Sequence, residues 1–417
     1  MSRFGIGMLT LGAFGVAALV ACADAEESGE PPRDVPEGGT LPNVDSGGSP
    51  APDAAVDPHA DAGEDVDAAP RVCSKEGFCH TTLPPKQSLR GVWADGTGVA
   101  WAVTEEGNLL RFDGTTWKVH ATTKGPLMSI WGSGPTDIWV GTSNGLMHGT
   151  GATSAALVFT DVATPDPVTP ITSIWGTGPN DVWAVGGELS FPLKGRVLHY
   201  AGKPDAGAGD AGGKGEPSDW TLENITKEPY LYMRVFGTPA SGVWLAGRRN
   251  NPKQFWFEVA LLHRSAGGTD WEDVPLPTDP DVGSNPVGTF EHLWDAAMSA
   301  DGQSVFLLGR THSARPAYAR GTAVNGGQSW AWSYNKDGVF GEPTSHAIAA
   351  GSATDVWIAG DYGRLKHLSG ATWKQSLITV DKFPVIDPFY AIGGKGNDMW
   401  FVGDDIALHR DPAKAQP

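Results

Sequence analysis

Cysteine is scarce in this chain: three residues in 417. Cys73 and Cys79, even with His80 beside the second, lack two further ligands at useful spacing, which argues against a structural metal centre. Positive charge is also scarce. Thirty Lys and Arg stand against 48 Asp and Glu, a net of −18. Thirteen of the acids, with a single Arg, fall within residues 23–70, so the remainder is only mildly acidic. The basic footprint that a nucleic-acid partner needs is missing. Motifs of catalysis are absent as well: there is no G-x-S-x-G, no H-E-x-x-H and no P-loop. Three residue types are abundant instead, with 56 Gly, 32 Pro and 17 Trp, and the 40% hydrophobic content is enough for a sizeable core.

The first 22 residues, "MSRFGIGMLTLGAFGVAALVAC", carry one early positive charge and then an apolar run. This is the form of a secretion signal, and it is too short and weakly flanked for a membrane span. Its end, Leu19 to Cys22, resembles the lipobox of bacterial lipoproteins, with Leu at −3 and a small Ala at −1. An ordinary cleaved signal with a chance Cys is the alternative. The resemblance implies that Cys22 carries a diacylglyceryl group and begins the mature chain. Acyl chains anchor at about 0.8 kcal/mol per buried methylene. Ala23, where Asp would mark inner-membrane retention, points to the outer membrane, so the expected location is the cell envelope, facing periplasm or surface. Export also makes a Cys73–Cys79 disulfide the default.

Residues 23–70 contain no aromatics and are dominated by Pro, Gly, Ala and Asp. Such a segment cannot bury enough apolar surface to offset its ordering entropy, and its like charges extend it. It reads as a disordered tether. The same composition at 203–219 reads as a disordered loop insertion.

From there the chain repeats. "SIWGSGPTDIWVGTS" begins at Ser129 and "SIWGTGPNDVWAVGG" at Ser173. Aligning on the second aromatic gives Trp101, Trp139, Trp183, Trp244, Phe306, Trp357 and Trp400, at intervals of 38, 44, 61, 62, 51 and 43. The shorter intervals match a four-stranded propeller blade. "SIWG" is a strand, "GPND" a tight turn with Pro presetting φ, and "VWAVG" a second strand. A third strand ends near a His, and a fourth follows "G-x-x-W", as in "GTTWKV". Each sheet has two apolar faces, and a ring covers both without leaving an end sheet. The expected fold is therefore all-β: a seven-bladed β-propeller over residues 71–412, built of four-stranded antiparallel sheets and preceded by the signal and the tether. The last repeat lacks its outer strand. Residues near 77–82 are expected to supply it, braced by the disulfide.

These repeats resemble those of myxobacterial-type secreted lipoproteins with β-propeller repeats, over roughly residues 89–410. The resemblance implies the fold and hardly constrains function. "AVNGGQSWAW", Ala323 to Trp332, is similar to a degraded sialidase Asp-box, a structural turn that does not place catalysis.

Five His share one repeat position: His148, His199, His263, His367 and His409. They are read as bonding within their own blades, to the turn acids Asp137, Asp181, Asp355 and Asp398, rather than converging on a metal. "TDPDVGSN" offers Asp279, Asp281 and Asn285 as oxygen ligands for calcium, but it does not follow EF-hand spacing and a solvated loop is the competing reading. No other cofactor is expected. The loops between second and third strands are long in repeats 3, 4 and 5. They carry Lys194, Arg196, Arg248, Arg249, Lys253, Arg310, Arg315 and Arg320, with Phe191, Phe255, Trp256 and Tyr318 among them. Of these, Lys194, Arg248, Arg249, Lys253, Trp256, Arg310 and Arg315 are the candidate ligand-binding residues. An anionic glycan or a protein is the expected partner; solvated hairpin charges are the alternative. The function expected is a monomeric, lipid-anchored, non-enzymatic binding or scaffold module. The alternative is a glycan-active hydrolase or lyase of sialidase type working in the central funnel, for which single carboxylates such as Glu188, Glu258 and Glu291 would need a partner.

Overall fold

The computed structural model describes residues 73–165, 169–190, 192–202, 219–225, 230–251, 256–276, 290–311, 316–335, 343–380 and 383–415. The signal, the tether through residue 70 and residues 203–218 of the insertion lie outside them.

Seven four-stranded antiparallel sheets form a closed β-propeller. Each blade is a meander whose first strand lies innermost. These inner strands are Leu89–Ala94, Leu127–Gly134, Ile171–Gly178, Tyr230–Thr238, His292–Met298, Ser345–Ser352 and Phe389–Lys395, in blades 1 to 7. Each packs beside the next, and the last packs beside the first. Blade 7 takes its outer strand from the other end of the chain: Phe78–His80 pairs antiparallel with Ile406–Arg410, Cys79 opposite His409. A Cys73–Cys79 disulfide ties the middle residue of this strand to the segment before it. Phe78 is buried edge-on between Trp357 of blade 6 and Phe401 of blade 7.

The repeated tetrapeptide explains the packing residue by residue. Its Ser ties blade to blade: Ser129 Oγ donates to the Ile171 carbonyl at 3.1 Å, and Ser173 Oγ accepts from the Val235 amide at 3.1 Å. Its Trp lies over the corresponding Gly of the next blade. A Cβ on Gly132 would sit 2.9 Å from Trp93, one on Gly176 2.9 Å from Trp131, and one on Gly237 3.2 Å from Trp175. Glycine there lets an indole reach the neighbouring sheet.

The second aromatic column lies on the second strands. Trp101, Trp139, Trp183, Trp244, Phe306, Trp357 and Trp400 are all buried. In five blades this ring stacks flat on the repeat His of the third strand, as with Trp183 and His199 at 3.8 Å between centroids. The same His bonds the acid that opens the second strand: His148 to Asp137 at 2.5 Å, His199 to Asp181 at 2.9 Å, His367 to Asp355 at 2.7 Å and His409 to Asp398 at 2.6 Å. Blade 4 has no such acid, and His263 bonds the Ser241 carbonyl at 2.7 Å. In blades 1 and 5, Arg111 and Arg320 occupy the cross-strand position of the His. The five histidines are thus clasps within separate blades.

Candidate functional site: a central funnel lined at seven bulges

Every inner strand breaks register once near its start. The skipped residues are Arg90, Met128, Thr172, Met233, Trp294, His346 and Tyr390, one per blade. A β-bulge leaves its extra residue outside the ladder and turns its side chain in a new direction. All seven of these residues line one cavity of about 690 Å³, together with Glu105, Arg234, Arg248 and His292. That volume lies within the range of small-ligand and peptide sites.

A narrower space of about 240 Å³ shares Arg90, Met128, Thr172, Arg234 and Tyr390 with the mouth. Its walls include Val92, Ile130, Ile174, Val235, Ala296, Ile348 and Ile392, the apolar position of each tetrapeptide. The wider mouth therefore exposes both polar and apolar groups, and the narrower part is predominantly polar, with Ser129, Ser173, Arg234 and Asp295 beside the aliphatic positions. Arg234 and Asp295 lie at the junction. Arg234 Nε donates to Asp295 Oδ1 at 2.6 Å, and its Nη2 to the Trp294 carbonyl at 2.9 Å. Asp295 also accepts from the Ile348 amide at 2.9 Å, so this pair joins blades 4, 5 and 6.

Around the mouth most charges are committed. Arg90 Nε donates to Glu105 at 3.0 Å, and its guanidinium lies 4.0 Å over the Tyr390 ring. Tyr390 donates to Asp404 at 2.9 Å, and His346 bonds Asp361 at 2.7 Å. Among the described residues lining the mouth, Glu105 is the one carboxylate, and it is engaged by Arg90. No pair of opposed carboxylates of the kind a glycosidase uses is found among them. Nor do the described residues hold a cluster of three or more His, Cys, Asp or Glu arranged for a metal ion.

The basic sector expected on the long loops divides. Lys194 is exposed at the start of the third strand of blade 3. Arg249 Nε donates to Glu258 at 2.6 Å, and its Nη1 approaches Asp273 at 3.3 Å. Arg310 pairs with Glu291 at 3.3 Å. Arg320 lies 5.8 Å over the Phe306 ring, within its own blade. Of the described candidates Arg248 alone turns into the central cavity, where its Nη2 donates to His292 Nδ1. Burial pulls its pKa below the usual guanidinium value; Glu291 opposes this and Arg310 adds to it. Phe191, Lys253, Phe255, Asp279, Asp281, Asn285 and Arg315 lie outside the described residues, as does the Trp256 side chain.

Sequence reasoning missed the bulge residues. The signal was present: each immediately precedes a repeated tetrapeptide (GVWA, SIWG, SIWG, RVFG, DAAM, AIAA, AIGG) and varies widely in type from blade to blade.

The molecule is thus a β-propeller with a lined axial funnel. No protein-family model and no curated relative matches the chain. Similar solved structures are YCF48 bound to D1 peptide, at 14% identity, covering 82% of this chain and 99% of that one with a TM-score of 0.54, and YCF48 from Cyanidioschyzon merolae, at 16%, 81% and 99% with 0.55. Virginiamycin B lyase from Staphylococcus aureus with quinupristin matches at 13%, 80% and 98% with 0.56. At these identities the likeness is one of fold.

Proposed function

We propose that this protein is a lipid-anchored cell-envelope module that binds a protruding segment of a partner protein in its central funnel, without chemistry of its own. The observation that carries the reading is the coincidence of seven bulges in one cavity. A bulge at the same place in every blade re-aims one side chain per blade, and all seven of those side chains line the mouth. The lining includes Met, Trp, Tyr and Arg, residue types enriched at protein-binding surfaces. A propeller of like fold is named as bound to a peptide, which accords with this reading. A glycosidase of the ordinary retaining or inverting kind needs two opposed carboxylates, and the described mouth offers Glu105 alone.

The test is Thr172→Trp, which fills the funnel at its smallest bulge residue. The parent, crosslinked in its native envelope, is expected to capture a protein partner that the variant loses at an unchanged melting temperature. An unchanged partner set would refute the funnel as the binding site. Anchoring rests on Cys22, and Cys22→Ser is expected to release the protein from membranes; continued detergent-dependent fractionation would exclude the lipid anchor.

A further inference from the structure

We infer that Arg248 receives a carboxylate of the peptide segment that enters the funnel, an inference that rests on the binding reading above. The arginines around this face differ in one respect. Arg90 is paired with Glu105, Arg234 with Asp295, Arg249 with Glu258 and Arg310 with Glu291. Arg248 makes no ion pair with a carboxylate. Its Nη2 meets His292 Nδ1, and its Nε is shut off from solvent without a hydrogen-bond partner.

A guanidinium offers five N–H donors in a planar fork that matches a carboxylate through two parallel bonds. Leaving such a donor buried and unmet is costly, and the cost ends when an oxyanion supplies the acceptors. Glu291 acts on Arg248 through space, and Arg310, to which Glu291 is paired, acts against it. The cavity that Arg248 lines also has apolar wall, with Met233, Leu293 and Trp294 among its residues. A carboxylate carried on a chain with apolar neighbours fits this juxtaposition, and a fully hydrated anion does not. The carboxylate has two peptide sources, an Asp or Glu side chain or the chain end, and Arg248 reads their shared chemistry.

The test uses the full chain, its Arg248→Gln variant and Thr172→Trp, each checked by near-ultraviolet circular dichroism for an intact fold. The probes are rhodamine-labelled octapeptide pools read by fluorescence polarisation. One pool has a fixed internal Asp and an amidated end, one an internal Asn and a free end, and one an internal Asn and an amidated end. Either carboxylate-bearing pool is expected to bind the parent roughly 10- to 100-fold more tightly than the neutral pool. Arg248→Gln should remove that difference, and the favoured pool identifies the source of the carboxylate. If Arg248→Gln binds as the parent does while Thr172→Trp does not, the carboxylate inference falls and the funnel remains. If neither variant changes binding, the funnel reading itself falls. A parent that binds no peptide pool, or binds only a tetragalacturonate probe, overturns the peptide carboxylate.

Discussion

Phe78→Ala tests the closure of the ring most directly. Phe78 belongs to a strand of only three residues, yet its ring is 1% exposed and meets Trp357 at 5.8 Å and Phe401 at 5.5 Å between centroids. Truncating a buried Phe costs about 3–5 kcal/mol in lost transfer energy and residual cavity. Relaxation is hindered here, because the neighbours are the rigid indole and phenyl rings of two different blades. With a guanidinium m-value of about 5 kcal/mol/M, the unfolding midpoint should fall by roughly 0.6–1 M. Val119→Ala is the control: Val119 lies on an ordinary outer strand, is 47% exposed, and should shift stability by less than about 0.5 kcal/mol. Amide exchange should locate the loss, with blades 6 and 7 opening first. A Phe78→Ala variant no less stable than Val119→Ala would refute the claim that this strand holds the ring shut.

Three further outcomes follow from the packing. Gly176→Ala should cost about 1–3 kcal/mol by thermal melting, since its Cβ would sit 2.3 Å from the Asp181 carbonyl oxygen; Gly178→Ala, in open space, should be near neutral. The His199 hydrogen bond holds the Asp181 carboxyl below its usual range; burial works against this, and Thr177 and Trp183 reinforce it. A carboxyl with a depressed folded pKa stabilises above its unfolded value near 3.8 and loses that contribution as pH falls through the folded value. Asp181→Asn should therefore lower stability by about 1 kcal/mol at pH 7 and converge with the parent in strong acid, as read from melting temperature against pH. Reducing the Cys73–Cys79 bridge, which spans six positions, should cost about 2 kcal/mol, read as a lower denaturation midpoint in dithiothreitol.

The ring was legible in the sequence because its cause is periodic. Two aromatics, a turn acid and a His recur in order, and where they recur they do the same work: Trp183 stacks on His199, which bonds Asp181, as Trp357, His367 and Asp355 do three sheets away. The funnel was not legible, because a bulge is a property of pairing. Nothing in Thr172 or Tyr390 alone announces that it drops out of a ladder. Charge misled for a related reason. Arg248 and Arg249 are adjacent in the chain and look like one basic patch, but alternation along the strand sends them to opposite faces. Arg249 meets Glu258 and Asp273 from its own blade, and Arg248 reaches the axis.

The placement of the disulfide has a mechanical consequence. A pull on the chain upstream of Cys73 reaches Cys79 through the sulfur atoms, bypassing residues 74–78. Tension then enters at the middle of the three-residue strand, opposite His409, rather than at its Phe78 end. A propeller held by its leading segment is in this way gripped within its closing strand.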